Sequence, residues 1–557
     1  MSLLADKCAV CIYRLVRGVR RQCLRVFNQP LRLAIFLLSA QLMFALLNPF
    51  GIEKAKDRIF IESAQAATGA LYGRPWFGDK ERAVRSQIVV ILINESSLAF
   101  FDTPFWPLSY DNQADIVERI AAFNPAAIFL DLLYLTPHKA SELVDARTAP
   151  ADMAGHQRDQ RGSSAASAMA DEAASELDML LARRASAMAQ QRRDIETFTR
   201  RLSAAALRDD VPIPTLIGPI AAKTQFEPMK EAVAKSRGLF QESGLDVKED
   251  VHLLYPQTDR EGNRQAAYKL FNALCVSTRR NSKENQLVNV LEERCNEFDV
   301  FAQPDFDLII RWGDRPRNQL ALKGESAQPQ SVSQRCVDTS LDEDGRFSGW
   351  AMLKTVFADS LTVITGQRAN KAANSDCSYH DILAADLLFN GLSTDRLQAL
   401  LGGRTVMIGV DLPYLRDHFQ SPIHGDLPGV MVHAMALDNL LQNGVQADRQ
   451  PSKLFGKSSS MDAADVLMLL INTILSMAIL LIYRHGREAD EVSRARQFSL
   501  CLVIALLCSI LGGFYSGYLL NWPLGYAVQI FLASFGLTSL LSIAHARKHE
   551  REIAIEV

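Results

Sequence analysis

Apolar residues in this chain gather in four long runs near its two ends, while the middle is a mosaic of shorter strand-like and helix-like patterns. A membrane-spanning helix needs ~20 mostly apolar residues to cross ~30 Å of hydrocarbon. Runs of that kind cover residues 31–50, 466–483, 498–520 and 524–544. The only charged side chain within them is Arg32, at the edge of the first, where it can snorkel. Four transmembrane α-helices are expected.

Between the first two runs the pattern is that of an α/β domain. Ile88 to Ile93 (IVVILI) is a β-branched run that ends in Asn94, Glu95 and Ser96, as a buried strand ends in a polar turn. Asp111 to Phe123 places Ile116, Ile120 and Phe123 on one helical face. Ala126 to Leu130 is a second strand, ending at Asp131. Strand, helix, strand implies parallel pairing through a right-handed crossover. Val211 to Ala221, with prolines suited to an edge, and Phe306 to Trp312 are further strand candidates. Thr405 to Val410 is the last clear core strand, and Val430 to Leu441 reads as a helix with Val430, Ala434, Leu437 and Leu441 on one face. The expected fold is an α/β domain with a mixed sheet.

Residues 138–210 read as an insertion rich in Ala, Arg, Asp, Glu and Gln. Leu181, Met188, Ile195 and Leu202 recur every seven positions, but Leu177, Arg184, Gln191 and Phe198, four earlier, are only half apolar. A long helix packed along one narrow stripe is expected, alone or as a helical hairpin with residues 169–181. A self-associating coiled coil is the alternative. Residues 148–167 are expected to form a loose tip.

Charge sets the orientation. Lys7, Arg14, Arg17, Arg20, Arg21 and Arg25 precede the first run against Asp6 alone. Arg484, Arg487, Arg494 and Arg496 lie between the second and third runs, and Arg547, Lys548 and Arg551 follow the fourth. Four crossings place all three basic clusters on the cytoplasmic side, as the positive-inside rule requires. Residues 1–30, 484–497 and 545–557 are then cytoplasmic, and 51–461 lie outside. Trp522, Tyr515 and Tyr518 fall at the outer end of a tight hairpin between the last two runs, where an aromatic belt is expected. A cleaved signal peptide is the alternative for the N-terminus, but the apolar run and the basic region before it are long for one. Leu4, Cys8, Cys11, Leu15, Val19 and Val26 recur at helical spacing among arginines, which suits a helix lying on anionic lipid. A formal net charge of −3 and the lack of a basic patch with interleaved aromatics argue against a nucleic-acid partner.

Cys275, Cys295, Cys336 and Cys377 are the cysteines of the exterior segment, an even set that permits two disulfides in an oxidising compartment. Of the three pairings, Cys275–Cys295 with Cys336–Cys377 closes the shorter loops; free core thiols are the alternative. The chain carries no phosphate-binding loop, nucleophile elbow or zinc-protease signature, and no enzymatic activity is expected. Asp131 and Asp417 both follow core strands, and such strand ends point toward a ligand crevice in an open α/β sheet. Glu95, Asp131, Asp417 and His433 are candidates to line a pocket; the plainer role for the two aspartates is to cap helices and hold turns. Trp106 beside Pro107 reads as a packing anchor, with ligand stacking the sharper alternative. His418, His424 and His433 with Asp411, Asp417 and Asp426 carry metal-ligating chemistry, but a polar loop explains them as well, and no metal or cofactor is expected.

Two separated blocks resemble the CHASE type 2 domain, a sensory extracellular module of bacteria associated with cyclases and histidine kinases. The first is Ile88–Ile93, Asn94-Glu95-Ser96-Ser97-Leu98, Trp106-Pro107 and Ile128-Phe129-Leu130-Asp131. The second is Gly403-Arg404-Thr405-Val406-Met407-Ile408-Gly409, Asp417, Ser421-Pro422, Pro428-Gly429-Val430, His433-Ala434 and Leu437-Asp438-Asn439-Leu440-Leu441. The resemblance covers roughly residues 85–442. Asn94 stands where the family commonly has an acid, Ser421 where Thr is usual, and the helical insertion is additional.

The resemblance implies an extracytoplasmic sensor in the bacterial inner membrane, with helices after the domain. Family members often continue into a catalytic output domain, and none is expected in the residues after the last run. The expected function is a receptor that passes a signal to a separate membrane or cytoplasmic protein. The alternative is an assembly subunit of an envelope complex. Its partners would be the lipid bilayer, an unidentified exterior ligand and, in either case, another protein or a second copy of the chain.

Overall fold

The computed structural model describes residues 30–47, 87–132, 163–207, 212–218, 227–235, 240–243, 264–280, 308–312, 379–415, 417–422, 425–444, 447–449, 462–485 and 532–541, with scattered single residues between them. The expected interfacial helix over residues 3–27, most of the third apolar run, residues 148–162 of the expected tip, and Cys336 and Cys377 lie outside the described residues; residues 163–167 of that tip are helical instead of loose.

Six strands form one sheet: β1 (Ile88–Ile93), β2 (Ala127–Leu130), β3 (Thr215–Ile217), β4 (Phe240–Glu242), β7 (Asp381–Ala384) and β8 (Thr405–Val410). Their order is β4-β3-β2-β8-β1-β7, and every pairing is parallel. Among the described residues, antiparallel pairing occurs in two small ribbons, β5 (Leu254–Tyr255) with β6 (Leu308–Ile309) and β9 (His418–Ser421) with β10 (Gly425–Pro428), and in a bridge between Leu308 and Arg449. Both strand directions therefore occur in the domain, but not within the main sheet. The central strands are buried along their whole length, which is why they read as continuous apolar runs.

Helices cover both faces. One face packs under α3 (Tyr110–Ala121), α4 (Ser163–Ala206) and α7 (Thr394–Leu401), with α2 (Glu95–Phe100) at its edge and α5 (Glu227–Lys235) adding Met229. Val89, Ile91, Ile128 and Ile408 point into that layer. The other face packs under α6 (Ala266–Arg280) and α8 (Gly429–Asn443), over Val90, Phe129 and Met407. Helix α3 begins at Ser109, whose side chain accepts from Asn112 N–H, the expected N-cap chemistry.

The described part of the insertion is one 44-residue helix that runs unbroken through residues 169–181, so the expected hairpin with that region does not form. Its C-terminal part buries Ile195, Phe198 and Leu202 against α3, and Arg201 binds Glu118 at 2.7 Å. Farther out the same stripe is solvent-exposed at Leu181 and Met188. The seam's polar positions do not set this boundary, since Ile195 is buried although Gln191 stands four residues before it; the helix docks where it runs alongside α3.

Helix α8 departs from its sequence reading. The apolar stripe suggests one buried face, yet residues 429–441 are buried on all sides. Gly409 permits the approach, because a Cβ there would lie 2.4 Å from the Cβ of Val430. The bridge Cys275–Cys295 is formed, with Cα atoms 5.4 Å apart, and closes α6 onto a later segment.

Helices α1 (Pro30–Leu47) and α9 (Ala463–His485) lie together with the helical residues 532–541. Leu33 and Ala34 pack on Ile479, Leu537 and Leu541. Polarity is inverted here. Asn472, Ser476, Ser534 and Thr538 are buried, while Ile35, Phe36, Leu470, Ile474, Met477 and Phe535 face outward. Asn472 donates to Gln41 at 3.0 Å and accepts from Ser534 at 2.9 Å. Among the described residues, Ala463–Leu481 is the one helix long and apolar enough to cross a membrane, with mean hydropathy 2.2; Leu31–Met43 and Leu532–Leu541 are shorter apolar helices.

Because α8 touches the sheet at Gly409 with no space to spare, Gly409→Ala is expected to destabilise the fold by about 1–3 kcal/mol. The midpoint of chemical denaturation should fall with its slope unchanged. An unchanged midpoint would contradict the close contact.

Candidate functional site

Helix α8 carries polar residues into the interior at two levels. Near its start, His433 is buried against Tyr255 and Phe129, whose rings lie 5.4 and 5.5 Å from the imidazole. The Tyr255 hydroxyl accepts from Ala267 N–H at 3.0 Å and lies 2.7 Å from His433 Nδ1. With the amide occupying an acceptor site of the phenol, the hydroxyl proton goes to Nδ1, which fixes the His433 proton on Nε2. That nitrogen faces Asp131 Oδ1 at 3.8 Å.

Asp131 sits there because it ends β2. Its N–H donates to Ile408 O of β8, which aims the side chain over the carboxyl end of the central strands. Asp417 approaches from the segment after β8. Its C=O accepts from Gly429 N–H at 2.9 Å, and a Cβ at Gly429 would lie 2.4 Å from Asp417 Oδ1. Glycine at the start of α8 is thus what lets this carboxylate close on the helix terminus.

Burial dominates the electrostatics. Desolvation, reinforced by the charge of Asp417, pushes the Asp131 carboxyl well above its usual range. The Asp417 carboxyl is also raised by desolvation, with His418 pulling it down. Desolvation lowers His433 to about 3. Asp131 and His433 are therefore held neutral together rather than as an ion pair, and the protonated Asp131 has a hydrogen to offer. The arrangement can bind a polar group at the strand ends and can take up or release a proton as it does so.

One and a half turns farther along α8, Asp438 and Asn439 are fully buried. Asp438 accepts from Tyr72 and from Gln442, each at 2.8 Å, and faces His380 Nε2 at 3.6 Å. Desolvation and Asp438 together raise the Tyr72 phenol well above its usual value. Asn439 exchanges two hydrogen bonds with the backbone of Arg311, and Arg311 binds Asp448 at 2.6 Å. Beside Arg311, Gln65 donates to Ile310 O, and Ile309 packs with Ile61, Ala464, Trp522 and Tyr526. A continuous run of contacts thus leads from α8 to the top of α9.

Of the residues singled out from sequence, Asp131, Asp417 and His433 come together. Glu95 and Trp106 belong to the opposite face. Glu95 is exposed in the first turn of α2, and Trp106 packs partly against the α3 layer, its backbone N–H donating to the Tyr414 hydroxyl. The turn beside Glu95 is held by Asn94, which accepts from Ser96 and Ser97. Both hydroxyls also reach Asp386 after β7. Asn94 therefore performs the cap that an acid would perform there. Tyr255, Tyr72 and Asp438 were not singled out; an Asp-Asn pair inside an apolar helix was the one visible signal. Among the described residues no group of three His, Cys, Asp or Glu side chains is placed to hold a metal ion.

The CHASE2 domain family model matches residues 42–478 of the chain. Comparison with curated proteins and with solved structures returned no match.

The pH dependence of stability follows from these groups. The raised Asp131 carboxyl favours folding below its unfolded value of ~3.9 and loses that contribution as pH rises through its native value. The lowered His433 contributes fully above ~6.5 and loses its contribution as pH falls toward about 3. Asp131→Asn is expected to raise the thermal midpoint of the purified full chain at pH 7.5, with the gain vanishing near pH 4. An equal change at both pH values would contradict the desolvated carboxyl.

Proposed function

The chain belongs to the CHASE2 domain family, a family of sensory extracellular domains, and from that premise we propose that it is an integral inner-membrane sensor. Its α/β domain lies outside the cytoplasmic membrane, four helices span the bilayer, and a separate protein reads the signal. The domain binds its ligand at the carboxyl ends of β2 and β8, at Asp131, Asp417 and His433. It transmits rather than catalyses.

The observation that carries this reading is the double engagement of α8. Its first turns hold His433 in the strand-end cluster, and its last turns hold Asp438 and Asn439 against Tyr72 and Arg311. Arg311 adjoins Ile309, which packs with Ile61, Ala464 and Trp522. A ligand that favours one position of α8 over another therefore biases the packing at the head of α9. Only such differential affinity can carry a signal. The inverted polarity around Asn472 supports a bundle whose solvent is lipid, because side-chain hydrogen bonds join helices there while large apolar groups face out.

Two measurements test this. A reporter enzyme inserted near residue 300 is expected to be active only outside the cytoplasm, and one near residue 490 only inside. A photo-crosslinker placed within residues 484–497 is expected to capture a partner, with a yield that changes severalfold on Asp131→Asn. A reporter at 300 that works only in the cytosol sinks the topology. A partner captured at the same yield in both proteins sinks the sensor and favours an assembly subunit.

A further inference from the structure

Helix α4 docks by its C-terminal third, and among the described residues the stripe before that third is exposed. Leu181 and Met188 are 53% and 43% exposed, in line with the buried Ile195 and Leu202. At 1.5 Å per residue, the part before Ile195 is ~48 Å long, far more than the domain needs to cover its sheet. The charges along it are segregated. By sequence, residues 163–182 carry Asp171, Glu172, Glu176 and Asp178 and no Lys or Arg, whereas residues 183–193 carry Arg183, Arg184, Arg192 and Arg193 and no Asp or Glu. The boundary between the two blocks falls beside Leu181.

We propose that two copies of this chain associate through the outer part of α4, laid antiparallel about a two-fold axis near Leu181. Antiparallel packing sets the acidic block of each copy against the basic block of the other. Parallel packing sets like charges together, so charge selects the direction. At the centre Leu181 meets Leu177 of the second copy, and the seam continues through Met188 against Ala170 of the second copy. Asp171 then stands opposite Arg192 of the second copy. Arg192 is paired at present with Glu196 across one helical turn at 3.2 Å, both well exposed, and such a pair is cheap to exchange. The same charge arrangement gives an isologous contact, which closes as a dimer and does not propagate.

Charge reversal tests the proposal in the purified full chain. One variant changes Asp171, Glu172, Glu176 and Asp178 to Lys; the other changes Arg183, Arg184, Arg192 and Arg193 to Glu. The parent is expected to be dimeric by light scattering, each variant alone monomeric, and an equimolar mixture of the two dimeric again. Retention of the Cys275–Cys295 bridge and the parent thermal midpoint checks that the variants fold. Cysteines placed by Ala170→Cys in one copy and Met188→Cys in another are expected to cross-link, whereas Met188→Cys alone is not. A monomeric parent, variants as dimeric as the parent, a mixture that stays monomeric, or cross-linking through Met188→Cys alone would each overturn it.

Discussion

A helix buried on every side has no water to satisfy its polar side chains, and α8 carries three of them. His433, Asp438 and Asn439 are each held by groups brought from elsewhere: Tyr255, Tyr72 and Arg311. Leaving any of them unmatched would cost on the order of 1–3 kcal/mol apiece. The helix therefore has a fixed place only while several distant segments are folded around it. The rest of the domain follows. Gly409 and Gly429 remove the side chains that would hold α8 away, and β8 threads between β1 and β2 to bring Asp131 and Asp417 to its first turn.

This constraint gives the strand-end cluster its chemistry. The Asp131 carboxyl and the His433 imidazole lie where solvent is largely excluded, with Asp417 at the exposed rim, and neutrality is the cheaper state for Asp131 and His433. In the proposed sensing role, a charged or strongly polar group arriving there shifts that balance, and His433 carries the shift to α8. The second polar level on α8 reaches the head of α9 through Asn439, which holds Arg311 beside Ile309, a residue packed on Ala464.

Much of this was legible in the sequence. Strands β1, β2 and β8 and helix α3 were marked by β-branched runs and by one clear helical face, because central parallel strands are buried on both sides. Strand β7 was not, since Asp381-Ile382-Leu383-Ala384 is short, mixed and at the sheet edge. Asp131, Asp417 and His433 were found from strand ends and pattern. Tyr255 and Asp438 were not, because their partners lie 178 and 366 residues away in the chain. Glu95 sits beside a strand end too, but closeness in sequence does not say which face of a sheet a side chain serves. The seven-residue repeat of α4 announced a helix; it did not announce that only its inner part would dock.

Coupling through α8 is best examined by hydrogen–deuterium exchange on the full chain in lipid nanodiscs, parent against His433→Ala. The mechanism predicts faster exchange along α8 that extends to residues 308–312 and to the first turns of α9. Faster exchange confined to the neighbourhood of Tyr255 and the first turn of α8, with the head of α9 unchanged, would contradict it.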